Sequence, residues 1–211
     1  MQAGERLRAR ISEYVWNSVA LQGSSLSVAA VDDIVTKKAV VQYPVRQVQQ
    51  AEDTVEAVKW LVTAVIGGRF VLDRGPSNIG NALLSGNETS RGGMFRTAGK
   101  SLRLATGTYQ GPASANLAFI HRCGMVALAD VERIDERALA YFAFATRGQF
   151  YAAANRRTAL HMMNGLLMVH GYDYVTISPA RSVEFDLACD ALLREADATA
   201  LMQFLTSCVS R

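Results

Sequence analysis

Residues 149–159 read Gln-Phe-Tyr-Ala-Ala-Ala-Asn-Arg-Arg-Thr-Ala and carry the clearest chemical signal in the chain. Small residues lead into Asn155, Arg156, Arg157 and Thr158. Apolar positions then recur at helical spacing: Ala159, Met162, Met163, Leu166, Leu167 and Val169. A loop running into a helix presents free backbone N–H groups and the positive end of the helix dipole, a setting that holds phosphate. Arg157 can add a two-pronged charge-assisted contact. Asn155 can cap the helix or orient the loop, and Arg156 is expected to face solvent and steer anions. No His, Asp, Glu, Lys, Ser or Cys lies between Gln149 and Asn155. The segment is suited to holding an anion, but nothing in it can move a proton or ligate a metal.

The other chemically able residues are scattered. His121, His161 and His170 are the only histidines, forty residues apart in the first pair and nine in the second, which is not metal-ligand spacing. His170 follows an apolar face and is expected to be packed or at an interface. Met162, Met163 and Met168 read as core. Cys123, Cys189 and Cys208 are odd in number and widely spaced, so buried or free thiols in a reducing compartment are expected rather than a disulfide framework or metal site.

The elements that must position the loop read as mainly helical. Residues 5–21 alternate charges with Leu7, Ile11, Val15 and Ala20, and Ser27 can cap a short helix reaching about Lys38. Residues 47–66 form the strongest early helix, closed by Gly67 and Gly68. Residues 73–93 are rich in Gly, Asn and Ser and read mostly as connection. Residues 102–109, broken at Gly107, suit a small exposed hairpin. Further helices are predicted over 116–129, 135–146, 154–170, 183–194 and 198–208.

Composition narrows the class. The chain has 211 residues, is half hydrophobic and 19% charged, and is read as a single domain spanning residues 1–211. No stretch approaches the ~20 apolar residues of a membrane span, and residues 5–10 alternate Glu5, Arg6, Arg8 and Arg10 without the apolar core of a secretory signal. A net charge of +3 does not argue for nucleic acid. The expectation is a soluble cytoplasmic protein of bacterial type, with a secreted effector left open, and without membrane or nucleic-acid partners.

Residues 149–160 resemble the signature of the Fic family: His, any residue, Phe, any residue, Asp or Glu, Gly, Asn, Gly, Arg, two more residues, Arg. Gln149 stands at the His, Tyr151 at the Phe, Ala153 at the acid and Ala154 at the first Gly. Asn155 and Arg157 are kept, while Arg156 replaces the second Gly and Leu160 the second Arg. Residues 154–160 are also similar to the death-on-curing toxins of the same superfamily, which carry Ala-Asn-Lys-Arg-Thr-Ala-Leu there. Ser18, Gln22 and Gly23 resemble the inhibitory motif of the N-terminally inhibited class, with Gln22 for its Glu, and residues 26–31 follow as that class's next helix start does. Gly93, Phe95 and Arg96 resemble the Gly-x-Tyr-Arg that precedes the family's β-hairpin flap, here residues 100–112. Gly171-Tyr172 and residues 185–204 resemble the closing helices. The resemblance covers about residues 12–208. It implies a mainly α Fic/Fido-type bundle with a β-hairpin flap, N-terminal inhibitory-type helices over 1–38 and a signature loop and helix over 149–170.

Intact members of the resembled family transfer AMP or another phosphorylated group to a protein hydroxyl. The His takes the proton, the acid holds Mg²⁺, the helix start and Arg meet the phosphate, and the flap aligns the target as an added strand. A general base contributes about 10²–10⁴-fold and a metal several kcal/mol. With Gln149 and Ala153 in their places, the expected loss is roughly 10⁴–10⁶-fold. The brake has changed in step, because Gln22 and Leu160 replace both members of the inhibitory Glu–Arg pair, and a Glu facing Leu160 would be an unpaired buried charge.

Two functions therefore stand. The first is a Fic-fold pseudoenzyme or regulatory binding module with an anion- or nucleotide-type pocket formed by Asn155, Arg156, Arg157 and Thr158. The second is an active transferase with non-standard catalytic residues, with Gln149 itself inactive and Tyr151, His121 or His161 recruited. No cofactor is assigned: ATP or another phosphorylated ligand is the candidate, Mg²⁺ binding is not expected, and no metal ligands are assigned. A protein target or regulator would meet the flap residues Arg103, Thr106, Thr108 and Tyr109, a small anionic ligand the pocket, and a homo-oligomer is left open.

Overall fold

The computed structural model describes residues 2–105 and 107–209. Among them are ten α-helices and one two-stranded hairpin: α1 Gln2–Ala9, α2 Ile11–Ala20, α3 Val28–Val35, α4 Val45–Ile66, α5 Arg74–Leu84, β1 Ser101–Leu104, β2 Gly107–Gln110, α6 Leu117–Ala129, α7 Ile134–Gly148, α8 Asn155–Val169, α9 Ser182–Glu195 and α10 Thr199–Thr206. The expected mainly α bundle with a small hairpin is what forms.

Helix α8 is the centre. Thirteen of its fifteen residues are buried, five of them polar (Asn155, Arg157, Thr158, His161 and Asn164), so the helix runs inside the bundle with nearly every face covered. It packs against α7, α5 and α4. Met162, Met163 and Met168 are fully buried in the core. Gly165 lets Phe70 cross the helix closely, since a Cβ there would lie 2.2 Å from the Phe70 ring. Asn164 carries a polar tie through the core: its Oδ1 accepts from the Val175 N–H and its Nδ2 donates to the Val175 carbonyl, both at 2.8 Å, and also to the Tyr14 hydroxyl at 3.0 Å.

The predicted punctuation mostly holds. Ser27 caps α3, its hydroxyl accepting from the Ala30 N–H at 3.1 Å. Gly68 takes a left-handed φ of +63° after α4. Residues 5–21, with their alternating charged and apolar positions, form two helices that break at Arg10, between α1 and α2. One expectation needs correction. Residues 73–93 are not mostly connection, because α5 occupies Arg74–Leu84, capped by the Asp73 carboxylate on the Arg74 N–H at 2.6 Å. Gly75, Gly80, Asn78 and Asn81 lower intrinsic helix propensity there. Packing overrides it, since Gly80 lies against the His161 ring and α5 against α8.

The remaining histidine and cysteine positions also settle. His170 is exposed rather than packed. Cys189 and Cys208 are buried, Cys123 is exposed, and all three are free thiols. No helix among the described residues is long and apolar enough to cross a membrane.

Candidate functional site

The loop between α7 and α8 is bracketed by two left-handed non-glycine residues, Gln149 at φ +44° and Ala154 at φ +56°. Such residues are uncommon and persist only where neighbours over-determine the backbone. Here the neighbours are visible. Asn155 does not cap α8; it closes the loop, its Oδ1 accepting from the Tyr151 N–H and its Nδ2 donating to the Tyr151 carbonyl, each at 2.8 Å. Asn81 of α5 donates from Nδ2 to the Ala153 carbonyl and to Thr158 Oγ1, each at 3.0 Å, and its Oδ1 accepts from the Gly93 N–H at 3.0 Å. Thr158 donates to the Ala154 carbonyl at 2.9 Å.

Arg96 fastens the loop to the hairpin. Its Nε donates to the Gln149 carbonyl at 2.6 Å and its Nη2 to the Pro112 carbonyl at 2.5 Å. Phe95 pairs with Tyr151 as an isolated antiparallel bridge, which carries the backbone from the segment before β1 onto the loop.

A cavity of about 560 Å³ opens beside the start of α8. Its wall combines Gln22 after α2, Arg46 and Gln50 of α4, Glu88, residues 102–105 of the hairpin, the loop with Arg156 and Arg157, and Asp186, Cys189 and Asp190 of α9. The hairpin, in register Arg103↔Thr108 and Leu102↔Tyr109, is fixed to the body at three places. Lys100 donates to the Ala152 carbonyl at 2.8 Å, the Tyr109 hydroxyl to the Arg147 carbonyl at 2.6 Å, and the Ala105 N–H to Asp190 at 2.9 Å. Thr106 lies outside the described residues.

Of the predicted site residues, Gln22, Arg103, Gln149, Asn155, Arg156 and Arg157 line this cavity, and several do other work than expected. Arg157 is only 7% exposed and is not free to meet a ligand: it pairs with Glu88 and donates to the Leu84 carbonyl at 2.8 Å. Glu88 is itself held by the Gln50 amide at 2.9 Å. Arg156 does not simply face solvent, since it pairs with Asp186 at 2.7 Å and its guanidinium lies 5.5 Å from the Phe185 ring. Thr158 is absorbed into the loop's bracing. Gln149 is 2% exposed and turns back to donate to the Thr146 carbonyl at 2.7 Å.

Tyr151 is buried below the loop. Its phenol lies 2.9 Å from the Ser77 hydroxyl and donates to Asn78 at 2.9 Å, and burial holds the phenol well above its usual pKa. Gln22 lines the cavity, with the turn completed by Gly23 at φ +82°, whereas Ser18 is buried on α2 and does not line it.

Neither buried histidine lines the cavity. His121 sits among Phe95, Phe144 and Phe150, with its pKa lowered by burial and by Arg74. His161 stacks on Trp60 at 5.9 Å, and burial drives its pKa down to about 3. The Cys189 thiol in the cavity wall is pushed up to about 11 by burial, so it is neutral and a poor nucleophile near pH 7. The residues do not fit Mg²⁺ either. Position 153 carries only a methyl group, and the wall carboxylates Glu88, Asp186 and Asp190 are engaged by Arg157, Arg156 and the Ala105 N–H.

Sequence reasoning missed Glu88, Arg46, Asn81 and the α9 acids. One signal was available: Ser77, Asn81 and Ser85 recur every four residues, and all three are buried. Ser77 and Asn81 on α5, with Ser85 just past its end, form the small-polar stripe of the helix that braces the loop.

No family model matches the sequence, and no curated protein is detectably similar to it. Solved structures do match in fold. A Fic domain-containing signalling protein from Bacteroides thetaiotaomicron superposes with TM-score 0.77 at 15% identity, over 97% of this chain and 84% of that one. Fic-1 from C. elegans gives TM-score 0.80 at 16% identity, over 99% of this chain, which spans 63% of the Fic-1 fragment. BepC, a VirB-translocated effector from Bartonella tribocorum solved with AMPPNP bound, gives TM-score 0.52 at 11% identity, over 75% and 89%. At these identities the likeness shows the fold, and the chain has the Fic fold.

Proposed function

We propose that this Fic-fold chain is a binding or regulatory module whose cavity holds a phosphate-bearing ligand without transferring any part of it. The observation that carries the reading is the composition of the wall around the start of α8. It contains cations and backbone donors, but no histidine, and each of its carboxylates has a partner. Gln149, at the position of the family's base, is an amide that cannot accept a proton near neutrality, and its side chain is folded back onto α7. Ala153, at the position of the metal-binding acid, has no ligating atom. Both features of the site read as losses from an ancestral transferase, with Gln22 and Leu160 as the matching losses from its brake.

The residues that an altered chemistry would recruit support it poorly. The Tyr151 phenol is buried beneath the loop, and His121 and His161 lie in aromatic surroundings away from the cavity. BepC supports the ligand class, because that relative holds a nucleotide analogue. The flap extends the reading to a protein partner. Its two strands pair only with each other among the described residues, leaving outer edges where an extended segment can add as a strand. The three free thiols fit a reducing compartment such as the cytoplasm.

Calorimetry with ADP, ATP and inorganic pyrophosphate tests the binding reading. Saturable binding of at least one is expected at or below millimolar concentration. If none binds, the cavity is vestigial and the reading fails.

A further inference from the structure

The family-signature arginines are already engaged, which leaves the question of what would meet an anion in this cavity. Arg157 is buried against Glu88, Arg156 pairs with Asp186, and the Lys100 ammonium donates to the Ala152 carbonyl. Two other cations line the same wall, Arg46 in the first turn of α4 and Arg103 on β1. Neither guanidinium has a hydrogen bond, ion pair or ring contact among the described residues. They come from elements far apart in sequence and both line this cavity.

A second observation points to a ligand independently. Thr146, near the end of α7, lines the cavity and is fully buried, and its hydroxyl has no hydrogen-bond partner. A buried hydroxyl left unpaired is unfavourable, and native structures rarely keep one without a use. Gln149 lies on the same turn, its carboxamide donating to the Thr146 carbonyl at 2.7 Å.

We infer that the cavity recognises a diphosphate group through Arg46 and Arg103, with the Thr146 hydroxyl as its buried polar contact, rather than through the signature arginines. Two guanidinium forks on separate elements suit a ligand with two adjacent anionic centres better than a single phosphate. The inference rests on the anion-pocket reading above and assigns its contacts.

The test is calorimetric titration of inorganic pyrophosphate into the full chain and three variants. Arg46→Ala/Arg103→Ala is expected to weaken binding by about 10–100-fold and to reduce its salt dependence. The control Arg10→Ala/Arg122→Ala makes the same charge change at exposed arginines outside the cavity and is expected to leave affinity nearly unchanged. Thr146→Val removes the hydroxyl at constant shape. It is expected to weaken binding several-fold while leaving the melting temperature of the free protein equal or higher, the opposite of what loss of a structural hydroxyl would do.

ADP run beside pyrophosphate distinguishes a free diphosphate from one carried on a nucleoside, and the Arg46/Arg103 loss is expected in both titrations. Wild-type affinity in the Arg46/Arg103 variant overturns the inference while the anion-pocket reading stands. Unchanged affinity in Thr146→Val overturns the role of the hydroxyl. Failure of the wild-type chain to bind pyrophosphate or ADP overturns the inference and the reading together.

Discussion

Glu88 changes the meaning of Arg157. A buried pair contributes little net stability over an apolar replacement, but breaking it by removing one partner costs about 3–5 kcal/mol because a charge is left uncompensated. Arg157 and Glu88 have side-chain exposures of 6% and 14%, so screening is small. Glu88→Ala is therefore expected to lower unfolding stability by about that amount. Phosphate should then restore more stability to the variant than to the wild type, because the freed guanidinium gains an anion. Equal phosphate effects on both proteins in thermal melts would contradict this. His161 gives a pH signature. Its folded pKa of about 3 lies below the ordinary value of 6.5, so between those pH values the unfolded chain binds more protons and stability falls as pH falls. The loss approaches about 1.4 kcal/mol per pH unit within that window and is absent above it. His161→Phe keeps a ring on Trp60 and is expected to flatten this part of the profile in urea unfolding from pH 7 to pH 4. A variant with the wild-type slope would assign the acid sensitivity elsewhere. At the loop, Gln149→His alone is expected to leave AMP transfer undetectable, since base and metal site act as a unit and Ala153 supplies no ligand. Only Gln149→His with Ala153→Asp should restore labelling, and strong labelling by the single variant would refute the metal argument.

Among the elements, α5 and the hairpin decide the shape of the site. Helix α5 was hidden in the sequence because its Gly and Asn residues lower local propensity, while its value lies in long-range contacts: Asn81 to the loop, Ser77 to Tyr151, Gly80 to His161. Asn81→Ala is expected to loosen residues 153–158, seen as faster amide exchange there than in α4. The hairpin was legible as an element from Gly107 and its alternating neighbours, but its docking was not, since Asp190 and Arg147 are distant in sequence and carry no local mark. Asp190→Ala should free the tip, so that exchange at the Ala105 amide accelerates while the α8 core stays protected. Unchanged exchange would mean the tip is held by other contacts. Close helix crossings depend on glycine. Gly165→Ala would place a Cβ 2.2 Å from the Phe70 ring, and overpacking of this kind costs about 1–3 kcal/mol. Phe70→Leu is expected to recover part of that loss if the clash is its source.

For the molecule as a whole, the helical bundle was legible because the helices carry apolar residues at helical spacing and end at Gly68 and similar signals. The site was legible by position rather than by role. The loop, Gln22 and the hairpin all reach one cavity, but pairing between charges on different elements could not be read from one dimension. Arg157 looked free beside Thr158 in sequence and is tied to Glu88 in space. The proposed function stands on a phosphate site that the fold keeps after the chemistry has gone. It is tested most directly by incubating the protein with Mg²⁺ and ATP labelled at the α-phosphate, then comparing label retained on native protein with label retained after denaturation. Label that is held natively and lost completely on denaturation is expected. Label that survives denaturation and disappears in Arg46→Ala/Arg103→Ala would show transfer from this cavity and contradict the proposed function.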